Sequence, residues 1–111
     1  MRSSGKFGNQ WIVPGGKVDF GETLTNALQR EIREETNIAI SDIKFTGVSE
    51  LVEPQRHFIF LEFTALAHSI DEVRLNQEAT EYGWFAKEEL AKLDIAAPTL
   101  RFIREHGTVI S

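Results

Sequence analysis

Apolar and polar positions change period several times along the chain, and each change marks an element. Residues 1–10, "MRSSGKFGNQ", are polar and carry no period, whereas "WIV" at 11–13 reads as a short strand stopped by Pro14, Gly15 and Gly16. Proline removes a ladder donor and the two glycines favour a tight turn. "KVDF" at 17–20 reads as a second short extended piece. From about Thr23 to Thr36 the spacing becomes helical. At about 100° per residue, Leu24, Ala27, Leu28 and Ile32 share one side, and Asn26, Gln29 and Arg33 the other. Thr23 suits the N-cap, and Asn37, which tolerates positive φ, suits the stop.

An extended segment follows from Ile43 to Val52, and then "HFIFLEFTALA" at 57–67, whose near-continuous apolar run predicts a central strand covered on both faces. "EYGWF" at 81–85 predicts a further strand and "KEELAKL" at 87–93 a short helix; Pro98 opens a last helix that Gly107 ends. Such an order implies an α/β fold with its sheet packed between helices. At 111 residues, 41% of them hydrophobic, the chain has material for one core and one active site.

Composition narrows the function. A net charge of −5 argues against a grip on duplex nucleic acid, which needs a basic face. The absence of cysteine excludes disulfides and thiolate metal sites. No apolar run is long enough to span a membrane and no export leader is evident, so a cytoplasmic location is the default expectation. Much of the acid lies between Glu22 and Glu35, as a cation site would place it.

Within the helix "LQREIREETN", Glu31 and Glu35 fall inside the apolar stripe and Glu34 on its margin. Their i, i+3, i+4 spacing makes three carboxylates converge over one turn. Like charges so close, and partly buried, are costly unless a cation neutralises them. The same spacing is also that of a solvated face with Arg30 and Arg33 as partners. The residues upstream separate the two readings. From Gly16 the chain runs five residues to Glu22, seven more to Arg30, then Glu31, Ile32, Glu34, Glu35, Asn37 and Ile38. This resembles the Nudix box, G-x5-E-x7-R-E-U-x-E-E-x-G-U with U a bulky aliphatic residue, and eight of the nine specified positions match. The departure is Asn37 in place of glycine at the helix end, where asparagine is the next-best residue. "WIVPGG" also looks like the family's strand-and-turn entry to the box.

The resemblance implies a Nudix-like α/β/α sandwich with a mixed β-sheet between helices. It also implies a pyrophosphohydrolase dependent on Mg2+ or Mn2+, with water attacking a phosphorus of a nucleoside diphosphate linked to another moiety. Candidate substrates are a nucleoside triphosphate, ADP-ribose or a nucleotide sugar. Glu34 and Glu35 would be the main metal ligands, Glu31 a further ligand or holder of metal-bound water, and the Gly16 carbonyl a backbone ligand. All are hard oxygen donors, as Mg2+ prefers. Glu22 and Arg30 would pair to support the cradle.

A base or further ligand is expected at Glu78, six residues before Trp84, with Glu81 its rival; either is equally a solvated loop carboxylate. Arg56 and Trp11, with Phe7 and His57, are candidate phosphate and base contacts, although an aromatic beside a strand is more often core. Pro54 lies sixteen residues after Ile38, close to but not at the spacing associated with ADP-ribose-cleaving members. A catalytically weak nucleotide-binding or regulatory module on the same fold is the alternative. Family members usually begin with one or two strands before such a box entry, and this chain begins almost on top of it. The expectation is a single domain lacking those strands, with an exposed edge met by a second copy (a homodimer), a strand-donating partner or poor solubility.

Overall fold

A computed structural model of the chain describes residues 1–3, 10–68, 73–77 and 79–106. Its longest elements are β2 (Ala39–Glu53) and β3 (Arg56–His68), an antiparallel hairpin turned at Pro54 and Gln55. Proline presets φ for such a turn. The register pairs Val48 with Leu61, Ser49 with Phe60 and Glu50 with Ile59, and it breaks between Ser41 and Lys44 and between Phe45 and Gly47. Asp42, at the first break, takes the left-handed backbone conformation at φ 50°, as an extra residue in a ladder often does. Phe45 and Phe63 meet edge to face across the hairpin, 5.5 Å between ring centres.

Around these strands lie β1 (Arg2–Ser3), α1 (Leu24–Thr36), β4 (Ala79–Glu81), a 3-10 helix (Lys87–Lys92) and α2 (Ala97–His106). Both α1 and α2 pack against β2. β1 pairs antiparallel with β4, and Trp11 makes a parallel bridge to Ile95. The Trp11 N–H donates to the Asp94 carbonyl at 2.8 Å, and the Ala96 N–H donates to the Trp11 carbonyl at 3.0 Å. Ala96, between this clamp and the start of α2, is wholly buried. No described helix is long and apolar enough to cross a membrane.

The helix predicted over Thr23–Thr36 forms as α1. The Thr23 hydroxyl accepts from the Asn26 N–H at 3.2 Å, and Asn37 closes the helix at φ 64° with its N–H on the Arg33 carbonyl at 2.8 Å. Four strand expectations change. Of "WIV", only Trp11 bridges; 17–20 form no strand; the strand expected at 81–85 is β4, Ala79–Glu81; and the described residues do not cover β3 on both faces. Among the described residues β3 pairs with β2 alone, and its outward Ile59 remains 64% exposed. The reason lies in the pleat. Phe58, Phe60 and Glu62 alternate inward while Ile59 and Leu61 point outward, so an apolar run marks apolar side chains on both faces without supplying a layer to cover each. The expected single mixed sheet is seen as two antiparallel pairs and one parallel bridge.

Left-handed geometry at Asn37 gives a direct test. Replacing Asn37 with glycine should leave urea and thermal unfolding midpoints unchanged or raised, whereas Asn37→Val should cost about 1–2 kcal/mol, the penalty of a Cβ in that conformation. Equal midpoints for all three proteins would contradict the cap.

Candidate active site

The box residues from Gly16 to Glu35 occupy two adjoining pieces of chain, the 15–22 loop, whose turn falls at Phe20–Gly21 rather than at the two glycines expected to form it, and the side of α1 that faces this loop. The stripe that buries Ala27 and Ile32 also carries Glu35, which is only 3% exposed. Its Oε2 accepts the Gly15 N–H at 2.9 Å, so the buried carboxylate is tied to backbone rather than left in apolar surroundings. Gly16 lies against Glu31 so closely that a Cβ there would occupy the space of the Glu31 carboxyl group. Absence of a side chain at 16 therefore sets how near the loop comes to the helix. Near Glu35 stands the Met1 ammonium, which donates to the Ile12 carbonyl at 2.7 Å. Burial pulls its pKa down, and the Glu35 charge partly offsets that.

Arg30 joins turn and helix. Its Nε donates to Glu22 Oε2 at 2.8 Å, and Nη2 donates to Glu22 Oε1 at 2.8 Å and to the Lys17 carbonyl at 3.0 Å. Nη1 donates to Glu31 Oε1 at 2.8 Å and to Glu34 Oε2 at 3.3 Å. Asp19 adds an ion pair to Nη2 at 3.3 Å. The two-pronged Glu22 contact matches the guanidinium fork to one carboxylate. Arg30's hydrogen bonds, with one from the Asp19 N–H, hold the Glu22 pKa down to about 2, and the carboxylates in turn raise that of Arg30.

Glu31, Glu34 and Glu35 are thus brought to one side of α1 beside Gly16, but not onto a common point. Glu35 turns to Gly15, while Glu31 and the largely exposed Glu34 turn to Arg30. Among the described residues no three acidic or histidine side chains gather as a ready-made metal cage. The donor set nevertheless suits a hard divalent cation: anionic oxygens, one carboxylate deeply buried, on the helix face that meets Gly16.

The other candidates lie elsewhere. Glu78 and Phe7 fall outside the described residues. Glu81 ends β4, exposed and paired in register with Arg2. Arg56 is exposed at the turn end of the hairpin, opposite Glu53, and the neighbouring His57 ring lies 2.6 Å from Glu50. Trp11 is 8% exposed, with its ring edge to face against Phe85 at 5.1 Å, so it is packed as core and offers no open stacking face. Sequence reasoning missed Asp19, the Lys17 carbonyl and the Gly15 N–H, because a loop's backbone donors and acceptors have no signature in side-chain spacing. It also missed Glu62, 8% exposed, whose Oε2 takes the Ser49 hydroxyl at 3.4 Å. The signal for that residue was a carboxylate inside an apolar run.

A glycine segment tied to a glutamate-bearing helix by an arginine fork is the arrangement implied by the resemblance to the Nudix box, and comparison with known proteins agrees. The NUDIX domain family matches residues 1–106, and the chain belongs to that family. It is similar to the nucleoside triphosphatase NudI of Escherichia coli, with 30% identity over 114 aligned positions covering 93% of this chain and 80% of the relative. Among solved structures it resembles a MutT NUDIX hydrolase from Burkholderia pseudomallei, at TM-score 0.78 and 26% identity over 88% of this chain and 78% of that one. A NUDIX family member from Chromobacterium violaceum shares the fold at TM-score 0.63 and 21% identity, covering 88% of this chain and 63% of that one. The protein is a hydrolase acting on phosphoric anhydride bonds, in a family that generally works with divalent metal ions.

Two outcomes test the site. Gly16→Ala should force the loop and Glu31 apart and lower hydrolytic activity on the order of a hundredfold, a cost typical of approximately ångström-scale misplacement at a reacting centre, while circular dichroism stays native. For Glu22, the folded pKa lies below the ordinary 4.5, so its stabilising contribution is complete above that value and is lost as pH falls toward 2. Unfolding midpoints should therefore drop more steeply across that window in the native protein than in Glu22→Gln.

Proposed function

We propose that this chain is a Mg2+- or Mn2+-dependent pyrophosphohydrolase acting on a small-molecule nucleoside diphosphate derivative, with a nucleoside triphosphate the favoured substrate. The observation that carries the reading is the Gly15–Gly16 segment against α1, with a buried Glu35 held by the Gly15 N–H and Glu31 packed on Gly16. Few structural roles call for a buried carboxylate and two more acids beside a backbone carbonyl, whereas a divalent cation calls for that set. The nucleoside triphosphatase name of the Escherichia coli relative supports a nucleoside triphosphate over ADP-ribose or a nucleotide sugar.

In this reading Glu34, Glu35, Glu31 and the Gly16 carbonyl hold the ion. When bound, it would neutralise pyrophosphate oxygens and make coordinated water more acidic. The chain's own groups do the rest. Glu35, fixed by Gly15 and excluded from bulk water, keeps its orientation without paying side-chain entropy at each turnover. Glu31 is limited to few rotamers by its close packing on Gly16, so it can orient a water toward phosphorus. Glu78 is the proposed base that takes that water's proton, with Glu81 its rival. Glu22 and Arg30 set the distance between turn and helix, and Arg56 is the proposed cation for substrate phosphates.

The reading is tested with nucleoside triphosphates, ADP-ribose and nucleotide sugars supplied with Mg2+ and product release followed by chromatography. Glu34→Gln and Glu35→Gln should each lower turnover on the order of a hundredfold or more, the loss expected when several kcal/mol of charge stabilisation disappears. Full activity in both variants would refute the assignment of the cation site.

A further inference from the structure

Arg30 has five N–H donors, and all five are engaged. Three of the bonds, from Nε and Nη2, run to Glu22 and the Lys17 carbonyl, away from the acids assigned to the cation. The two from Nη1 run to Glu31 and Glu34, which are among those acids. One positive group thus neutralises two of the carboxylates that a divalent ion would need. The Glu34 contact is the longer of the two, at 3.3 Å, and its carboxylate is 56% exposed. Exposed ion pairs of this kind are weak and exchange readily. The opposite end of the guanidinium is anchored by the two-pronged Glu22 contact at 2.8 Å on each prong.

We propose that Arg30 is an internal placeholder for the divalent cation: its Nη1 holds Glu31 and Glu34, and ion binding is an exchange in which those two carboxylates leave Nη1 while Nε and Nη2 stay on Glu22 and the Lys17 carbonyl. Glu22, which is not a ligand, then sets ion affinity by anchoring Arg30. With Glu22 ionised, the guanidinium has a strong second partner and gives up Glu31 and Glu34 easily. With Glu22 neutral, Arg30 relies on the cradle acids and competes harder with the ion. The placeholder also keeps the acids from repelling one another before the ion arrives.

The inference rests on the cation site proposed above, and a metal titration separates the two. Mn2+ binding is followed by calorimetry and by loss of the free-ion paramagnetic resonance signal, without substrate, in the full chain and three variants checked for folding by thermal melts. Arg30→Gln should bind Mn2+ about fivefold more tightly, near the upper limit for an exposed ion pair. Glu22→Gln should bind about threefold more weakly, and in the Glu22→Gln, Arg30→Gln double variant the Glu22 change should have no effect, because it acts only through Arg30. If Arg30 is merely scaffolding, Arg30→Gln binds more weakly than the native protein, and the placeholder is overturned. If the two residues act only as independent charges, Glu22→Gln weakens binding equally in both backgrounds, which also overturns it. Should Arg30→Gln fail to fold, Glu22→Gln alone decides: affinity equal to the native protein's refutes the exchange. Native protein that binds no Mn2+ would instead defeat the cation site itself.

Discussion

The Arg30 guanidinium reaches from α1 across the Gly16 loop, binding Glu22 with two prongs, the Lys17 carbonyl with a third donor, and Glu31 and Glu34 with the remaining two. Without that span the loop from Gly16 to Glu22 would be joined to α1 chiefly through the Gly15 bond to Glu35 and the close approach of Gly16 to Glu31. Arginine rather than lysine is required, because a planar fork with five donors can satisfy three carboxylates and a carbonyl at once, whereas an ammonium has three donors and no plane.

Around this contact, burial and charge oppose each other and are reconciled locally. Glu35 lies in the apolar stripe of α1, where an ionised carboxylate is expensive, yet it is tied to the Gly15 N–H and stands near the Met1 ammonium. Glu34, one residue earlier, points to solvent and is free of that cost. The helix therefore presents a graded set of acids, from Glu35, buried and tied to backbone, to Glu34, largely exposed.

Much of α1 was legible because its signals are local. The Thr23 cap, the 3.6-residue stripe and the Asn37 stop each depend on residues within a turn or two of one another, and each appears where the spacing puts it. The fixed-spacing box reached further, joining Glu22 and Arg30 across seven intervening residues. The strands were less legible. The run at 57–67 has the composition of a central strand, but apolar side chains on both faces of a hairpin give the same letters, and Ile59 and Leu61 point outward. Trp11 looked like a stacking platform because an indole beside a glycine turn suits a nucleobase; the Asp94–Ala96 segment, more than eighty residues away, packs it as core instead.

By itself, the sequence determined the family, the helix with its caps, and which acids share one face of it, since these follow from residue type and short-range spacing. Tertiary structure alone decided how those acids are held: Glu35 by Gly15, Glu31 and Glu34 by Arg30, Trp11 by the Asp94–Ala96 clamp. Hydrogen-bond partners in space depend on how separate segments pack, and neither helical period nor motif spacing encodes the direction in which a carboxylate turns once it has a choice of donors.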